Sequence, residues 1–297
     1  PVGGDDGRGP ENTRLDLSGN SKFASFFSWF NTYRSEMKCD CPRGALCAYV
    51  DEAIFYLLFE GLLPNIKSLQ IGPIFQKDVA PYTKIVSNSR ITEALQGAPR
   101  LTKARMGNAF QGEFPSQIGD LVGLDSLTVD AWWSSNANRL TGEIPETISL
   151  LTNLKVLNLW HQNLTGKIPQ GVSALLQLTQ LDLRFNNLLG PLPIGISALT
   201  NLRELLLGFN RRFHGQLPTG ISALTNLEAL NFDGTSLSGP IPPGITTLTR
   251  LTLLHLGKMM RYHPTNVSAV PRRVGGLCLK LENYIENYSD YVYRPCS

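Results

Sequence analysis

Apolar residues recur along the chain with the spacing L-x-x-L-x-L, at Leu154/Leu157/Leu159, Leu178/Leu181/Leu183, Leu202/Leu205/Leu207, Leu227/Leu230/Phe232 and Leu251/Leu254/Leu256. The successive periods are 24, 24, 25 and 24 residues. Looser copies at Leu124/Leu127/Val129, Leu101/Ala104/Met106 and Ile66/Leu69/Ile71 extend the series upstream to eight candidate turns. Alternation inside each triplet predicts a short strand with one buried face, and a fixed period of this length predicts a solenoid. No unit of a solenoid buries its apolar side alone, so the stack shares one core. The segment Leu15 to Asn20 reads as one more strand.

Each period carries a second block, Gly-x-(Ile/Leu/Phe)-Pro, at Gly112 to Pro115, Gly142 to Pro145, Gly166 to Pro169, Gly190 to Pro193, Gly215 to Pro218 and Gly239 to Pro242. Its proline has no N–H and a fixed φ, which suits an extended or turning segment leaving the sheet for the convex side. The stretches Ser197 to Leu202 and Ser222 to Leu227 return the chain toward the next strand. Asn186 and Asn210, with Gln162 and Thr235 in the same place, close the strands and are read as partners for backbone groups in the buried turn.

Together these blocks resemble the plant-specific class of leucine-rich repeats, LxxLxLxxNxLxGxIP, over about Leu101 to Leu256. Polygalacturonase-inhibiting proteins and the ectodomains of receptor-like kinases belong to that class. The expected fold is α/β: a right-handed leucine-rich-repeat solenoid with a concave parallel β-sheet and disulfide-bearing terminal caps.

An open solenoid exposes apolar anchors at its ends, and the termini read as caps. The expected organisation is a largely helical N-terminal cap over 1–63, repeats over 64–260 and a C-terminal cap over 261–297. Ser21 to Met37 reads as an amphipathic helix, with Phe23, Phe26, Phe27, Phe30 and Met37 on one face, and Asp51 to Glu60 as a second helix closed by Gly61. Tyr284, Tyr288, Tyr291 and Tyr293 suit a cap half in contact with the last repeat, or an association surface. All five cysteines, Cys39, Cys41, Cys47, Cys278 and Cys296, lie in these ends. Their spacing does not match a metal site, and disulfides are expected instead. Cys278 is expected to pair with Cys296 and Cys47 with Cys39 or Cys41, because Cys39 and Cys41 are too close to bridge each other without strain. Asn163, Asn266 and Asn287 stand in Asn-x-Ser/Thr sequons and are expected to carry glycans on a secretory route.

With 42% hydrophobic and 17% charged residues the chain has the composition of a folded protein. Its net charge of +3 is scattered, which argues against nucleic acid as a partner. No run reaches the roughly 18 apolar residues of a membrane span, so no membrane insertion is expected. The start at Pro1 fits a processed product or an excerpt from a longer protein.

Function is expected on the concave face. One column of positions reads Arg105, Thr128, Asn158, Asp182, Leu206, Asn231, His255. The next reads Gly107, Asp130, Trp160, Arg184, Gly208, Asp233, Gly257, and a third Asn108, Ala131, His161, Phe185, Phe209, Gly234, Lys258. Trp160, His161, Phe185 and Phe209 are expected to cluster as exposed aromatics flanked by Asp130, Asp182, Arg184 and Asp233. The inserted segment Trp132 to Ala137 brings Trp132 and Trp133 to the same neighbourhood or to the flank. Flat apolar faces with polar edges suit a protein hot spot or a sugar platform. Asp182 and Asp130 are expected to be solvated there. The four histidines have no metal-ligand spacing and no nucleophile or phosphate-loop motif is present, so neither catalysis nor a cofactor is expected. The leading expectation is a secreted or cell-surface recognition protein that binds an extracellular protein or cell-wall glycan. The alternatives are a matrix or fibre subunit that associates with its own copies, and the ectodomain of a membrane receptor.

Overall fold

Each repeat's L-x-L core becomes a three- or four-residue strand because its leucines point inward while the intervening residue points out. The computed structural model describes residues 68–71, 95–96, 99–106, 112–129, 140–257, 273–274, 277–284 and 288–295. The strands are β1 (Ser68–Ile71), β2 (Lys103–Met106), β3 (Gly112–Glu113), β4 (Ser126–Thr128), β5 (Leu140–Thr141), β6 (Val156–Asn158), β7 (Gln180–Asp182) and β8 (Leu189–Gly190). They continue with β9 (Glu204–Leu206), β10 (Arg212–Gly215), β11 (Ala229–Asn231), β12 (Ser236–Leu237), β13 (Leu253–His255), β14 (Arg273–Val274), β15 (Leu277–Tyr284) and β16 (Tyr288–Pro295). An 11-stranded sheet has the order β1-β2-β4-β6-β7-β9-β11-β13-β16-β15-β14. From β1 to β13 every pairing is parallel, with the middle leucines in register, Leu127 to Leu157, Leu181, Leu205, Leu230 and Leu254. The tyrosine-bearing segment forms the antiparallel hairpin β15–β16, which joins the sheet where Tyr293 pairs with Leu254.

The anchors Leu154, Leu178, Leu202, Leu227 and Leu251 are all buried in one internal column, as the period requires. Each such side chain contributes about 1.5–3 kcal/mol of burial.

Opposite the sheet the crossovers are short. They are five-residue 3-10 helices, Ser116–Asp120, Glu146–Leu150, Gln170–Ala174, Ile194–Ala198, Thr219–Ala223 and Pro243–Thr247. Each follows the proline of the Gly-x-x-Pro block, whose carbonyl accepts the first bond of the turn, as from Ile148 to Pro145 (3.0 Å) and Ile221 to Pro218 (3.0 Å). Proline fits there because it need only accept. The glycine-bearing half of the block forms a second parallel ladder on the flank, β3–β5 and β8–β10–β12, bridged by Glu143 and Thr165. Among the described residues no helix is long and apolar enough to cross a membrane.

Neighbouring crossovers approach so closely that each junction holds one glycine against one hydroxyl residue. A Cβ on Gly171 would lie 2.8 Å from the Cβ of Ser149, on Gly195 2.6 Å from that of Ser173, on Gly220 2.9 Å from that of Ser197, and on Gly244 2.7 Å from that of Ser222. At the first junction the roles are exchanged. The later repeat supplies Thr147, the earlier one Gly119, and a Cβ there would lie 2.6 Å from the backbone oxygen and 2.8 Å from the Cβ of Thr147, so here the backbone itself also closes the space. One side chain fits at each junction and two do not.

The segments Leu15 to Asn20, Ser21 to Met37, Asp51 to Glu60 and Trp132 to Ala137 lie outside the described residues, as do Cys39, Cys41, Cys47, Cys296, Asp130, Asn266 and Asn287. Cys278 lies on β15, in register with Arg294.

The exchanged pair generates a test. Gly195→Ser should destabilise by about 1–3 kcal/mol through overpacking, and Ser173→Gly in the same chain should restore most of the loss. Urea unfolding of the two single variants and the double would measure the coupling, and additive losses would refute the one-side-chain rule.

Candidate binding face

The strand ends are built around buried amides. Asn186 donates from Nδ2 to the carbonyls of Leu159 (2.9 Å) and Leu183 (3.1 Å), and its Oδ1 accepts from the N–H of Leu164 (3.0 Å). Asn210 repeats the arrangement one unit on, with Leu183, Leu207 and Leu188. Gln162 does so one unit earlier with Val129, Trp160 and Leu140. Thr235 reaches only the Phe232 carbonyl, at 2.7 Å. The residue before each amide must turn its N–H toward the next repeat: His161 donates to Arg184, Phe185 to Gly208 and Phe209 to Asp233. These residues have a left-handed backbone, with φ of 59° at His161, 56° at Phe185 and 61° at Phe209, and Gly234 in the same place has φ of 65° while donating to Asp233 Oδ1.

The third column of the sequence reading therefore sits on the turn at the edge of the sheet and not on its strands. The aromatics still meet. Phe185 and Phe209 stack with centroids 4.3 Å apart and planes 11° from parallel, while Trp160 and His161 approach Phe185 at near right angles, 6.1 and 5.8 Å away. Phe185 is 39% and Phe209 41% exposed, whereas Trp160 and His161 are half-buried.

Asp182 corrects the expectation of a solvated carboxylate. It is 1% exposed. Its Oδ1 accepts from the backbone N–H and the Nε of Arg184 (3.1 and 2.9 Å), and its Oδ2 from Nη2 (2.6 Å). The bond from Asp182 holds the Arg184 guanidinium above its usual range, against desolvation that lowers it, and the charges of Asp182 and Glu204 raise it further. Arg184 is thus a fixed cation whose charge is already matched.

Asp182 belongs to a recurrent turn that the sequence reading missed. Asn158 accepts from the N–H of Trp160 (3.0 Å) and Asn231 from that of Asp233 (2.8 Å), each two residues on, as Asp182 does from Arg184. An Asn or Asp so placed bends the strand end. Leu206 has no such group, and Gly208 follows it. A fourth column, Lys103, Ser126, Val156, Gln180, Glu204, Ala229 and Leu253, also faces the concave side, because period-two alternation puts it there. Gln180 donates to Glu204 at 2.9 Å within it. Asp233 is exposed, its Oδ1 accepting from the N–H of Gly234. Asp130, Trp132 and Trp133 lie outside the described residues. Asn163 is exposed one residue beyond Gln162 and accepts a hydrogen bond from Asn187.

The Leucine Rich Repeat family model matches residues 153–175, 177–199 and 226–248. Among solved structures, a TDR receptor is 34% identical over 55% of this chain and 27% of its own, with a TM-score of 0.51. The leucine-rich-repeat ectodomain of the plant membrane receptor kinase GASSHO1/SCHENGEN3 from Arabidopsis thaliana, in complex with Casparian strip integrity factor 2, is 34% identical over 56% of this chain and 19% of its own, with a TM-score of 0.49. That of the receptor kinase SOBIR1, also from Arabidopsis thaliana, is 32% identical over 48% of this chain and 73% of its own, with a TM-score of 0.43. The chain thus spans well under a third of the length of the first two. No curated protein matches the sequence.

The two acidic residues of the face should behave differently. Asp182→Ala removes a buried acceptor and should cost about 2 kcal/mol of stability, whereas Asp233→Ala should stay within about 0.5 kcal/mol. Asp182→Asn, which can retain the turn bond, should fall between them. Chemical denaturation of the three variants checks this order.

Proposed function

The chain is a leucine-rich-repeat protein of the plant class, and on that premise we propose that it is a non-catalytic recognition protein that binds an extracellular protein or cell-wall glycan through its concave face. The observation that carries the proposal is the row His161, Phe185 and Phe209 in left-handed conformation. Holding a residue with a Cβ in that conformation costs roughly 1–2 kcal/mol. An aromatic pair returns about 0.5–1.5 kcal/mol. Stability therefore gains little from rings at this turn, and Gly234 occupies the same place without one. Aromatic side chains there leave large apolar surface in water at a position where Asn or Gly would be less strained. A binding role accounts for that choice.

A second reading, the ectodomain of a membrane receptor, is favoured by the likeness to the TDR receptor, of which this chain spans 27%. Sequencing the full-length transcript tests it: a spanning segment beyond Ser297 supports it, and a stop codon there removes it.

Phe185→Asn with Phe209→Asn tests the first reading better than alanine, because asparagine tolerates the left-handed backbone. The melting transition should move by no more than roughly 2–4 °C, the equivalent of about 1 kcal/mol. Affinity for a partner isolated from native extract should fall by about 2 kcal/mol or more, near thirtyfold. Undiminished affinity would move the contact off this row, toward association of copies through the β15–β16 hairpin.

We also propose secretion, with a glycan on Asn163, whose exposed side chain leaves the turn beside the amide row. Glycopeptide mapping of native protein should find it occupied, and an unmodified Asn163 peptide would refute it.

A further inference from the structure

One repeat is a residue longer than its neighbours, and the extra residue changes the flank. After Gln162, Asn186 and Thr235 a single residue, Asn163, Asn187 or Ser236, precedes the next inward apolar side chain, but after Asn210 there are two, Arg211 and Arg212. The core is met as before, since Phe213 is buried like Leu164, Leu188 and Leu237. The insertion is therefore spent on the outside, where Arg211, Arg212 and His214 are all exposed.

The flank ladder sets a lysine across from them. Arg212 pairs with Leu189, whose N–H donates to the Gly166 carbonyl (2.8 Å), so Lys167 is the partner on its other side. Lys167, Leu189 and Arg212 thus form one row across three strands, about 10 Å from end to end at the usual strand spacing, and both ends are exposed. The Lys167 stem lies over Gly190, where a Cβ would be 2.9 Å from its Cγ. His214 stands on the same face of β10 as Arg212, its Nδ1 donating to the Arg212 carbonyl (2.9 Å). Segments 163–167, 187–191, 211–216 and 236–240 contain no carboxylate. None among the described residues pairs with Lys167, Arg211 or Arg212. Glu143 stands a strand earlier, over Gly166.

The rest of the flank favours one class of anion. The exposed large apolar side chains of the described residues are Val122, Leu150, Leu176, Phe185, Ile194 and Phe209, and none lies in these segments. A polypeptide partner binds chiefly through apolar and aromatic anchors, for which this surface has no counterpart. Exposed Thr165, Asn187, Gln216 and Ser238 stand among the cations instead, and such groups exchange hydrogen bonds with hydroxyls. A chain with one carboxylate per sugar matches cations this sparse, and a guanidinium takes a carboxylate through two parallel bonds.

We propose that this flank is a second binding surface, apart from the concave face, and that it takes a polyuronate chain. Carboxylates meet Lys167 at one end of the row and Arg211 and Arg212 at the other, with sugar hydroxyls on the neutral groups between.

The test titrates the full chain, carrying Asn163→Gln so that no glycan bordering the flank contributes, with dye-labelled oligomers of alginate and of polygalacturonate, read by fluorescence anisotropy. Polyglutamate and heparin oligomers of equal charge are the comparisons. At least one polyuronate should bind, more weakly at high salt. Arg211→Gln with Arg212→Gln should weaken that binding about tenfold with an unchanged melting transition. Arg203→Gln with Arg250→Gln, the same loss of charge ahead of the strands instead of after them, should leave it unchanged. Phe185→Asn with Phe209→Asn should leave it unchanged as well, which separates this surface from the concave-face reading. Equal losses in the two arginine pairs would reduce the effect to net charge and overturn the proposal. Absence of binding to both polyuronates, or tighter binding of polyglutamate or heparin, would overturn it too.

Discussion

A solenoid turn that closes every 24 or 25 residues buries backbone carbonyls and N–H groups which its own strand is too short to pair, and the amide side chains of Gln162, Asn186 and Asn210 satisfy them. Each amide reaches its own repeat and the one before. It therefore ties the stacking distance to the hydrogen-bond geometry, and an unmet buried group would cost on the order of 1–3 kcal/mol per site. Much of the rest follows. The residue ahead of the amide takes a positive φ in the turn that the amide closes, and its side chain stands at the edge of the sheet. The aromatic row is a by-product of that geometry in its position, though not in its residue types.

The remaining sides of the repeats are closed in a similar way. The crossovers admit one side chain per junction, and the flank is paired into its own ladder through β8, β10 and β12. Substitutions there are felt by two repeats at once. The concave columns differ because β-strand side chains on that side meet one another only across a strand spacing of about 4.8 Å, which leaves room for different residue types. In this chain that side holds Val156, Gln180, Glu204, Ala229 and Leu253 along one row, a mixture the inner anchors never show.

The anchors, the amide row and the proline turns were legible because each is imposed on every repeat, so the 24-residue period repeats the chemistry. The short 3-10 crossovers were less so. Five residues after a proline carry no helical periodicity to read. The two errors at the site have physical causes. Phe185 and Phe209 were placed in a concave-face column although period-two alternation ends at Arg184 and Gly208 and the chain turns there. Gly234 in the same column was the available signal that the backbone there is left-handed. Asp182 was read as solvated because an open face suggests water, while an Asn, Asp or Asn two residues ahead of Trp160, Arg184 and Asp233 was already the signature of a strand-closing turn.

That turn divides the concave face by function. A position whose carboxamide or carboxylate closes the strand, as at Asn158, Asp182 and Asn231, is constrained by its own backbone and can adapt to a ligand only by losing the bend. In the row that contains Gln180 and Glu204, Gln180 bonds Glu204 across the strands, and in the row that contains Trp160, Arg184 and Asp233, Asp233 accepts from the N–H of Gly234 in its own turn. Arg184 sits in the second row yet is held by Asp182 in the first, so it is part of the frame by coupling. Glu204 and Asp233 are the remaining charged groups on the solvent-facing side of β7, β9 and β11 and the turns that follow them, and neither closes a strand end. Selection for a partner can act on them independently of selection for stability, and that separation lets one repeat architecture carry many specificities.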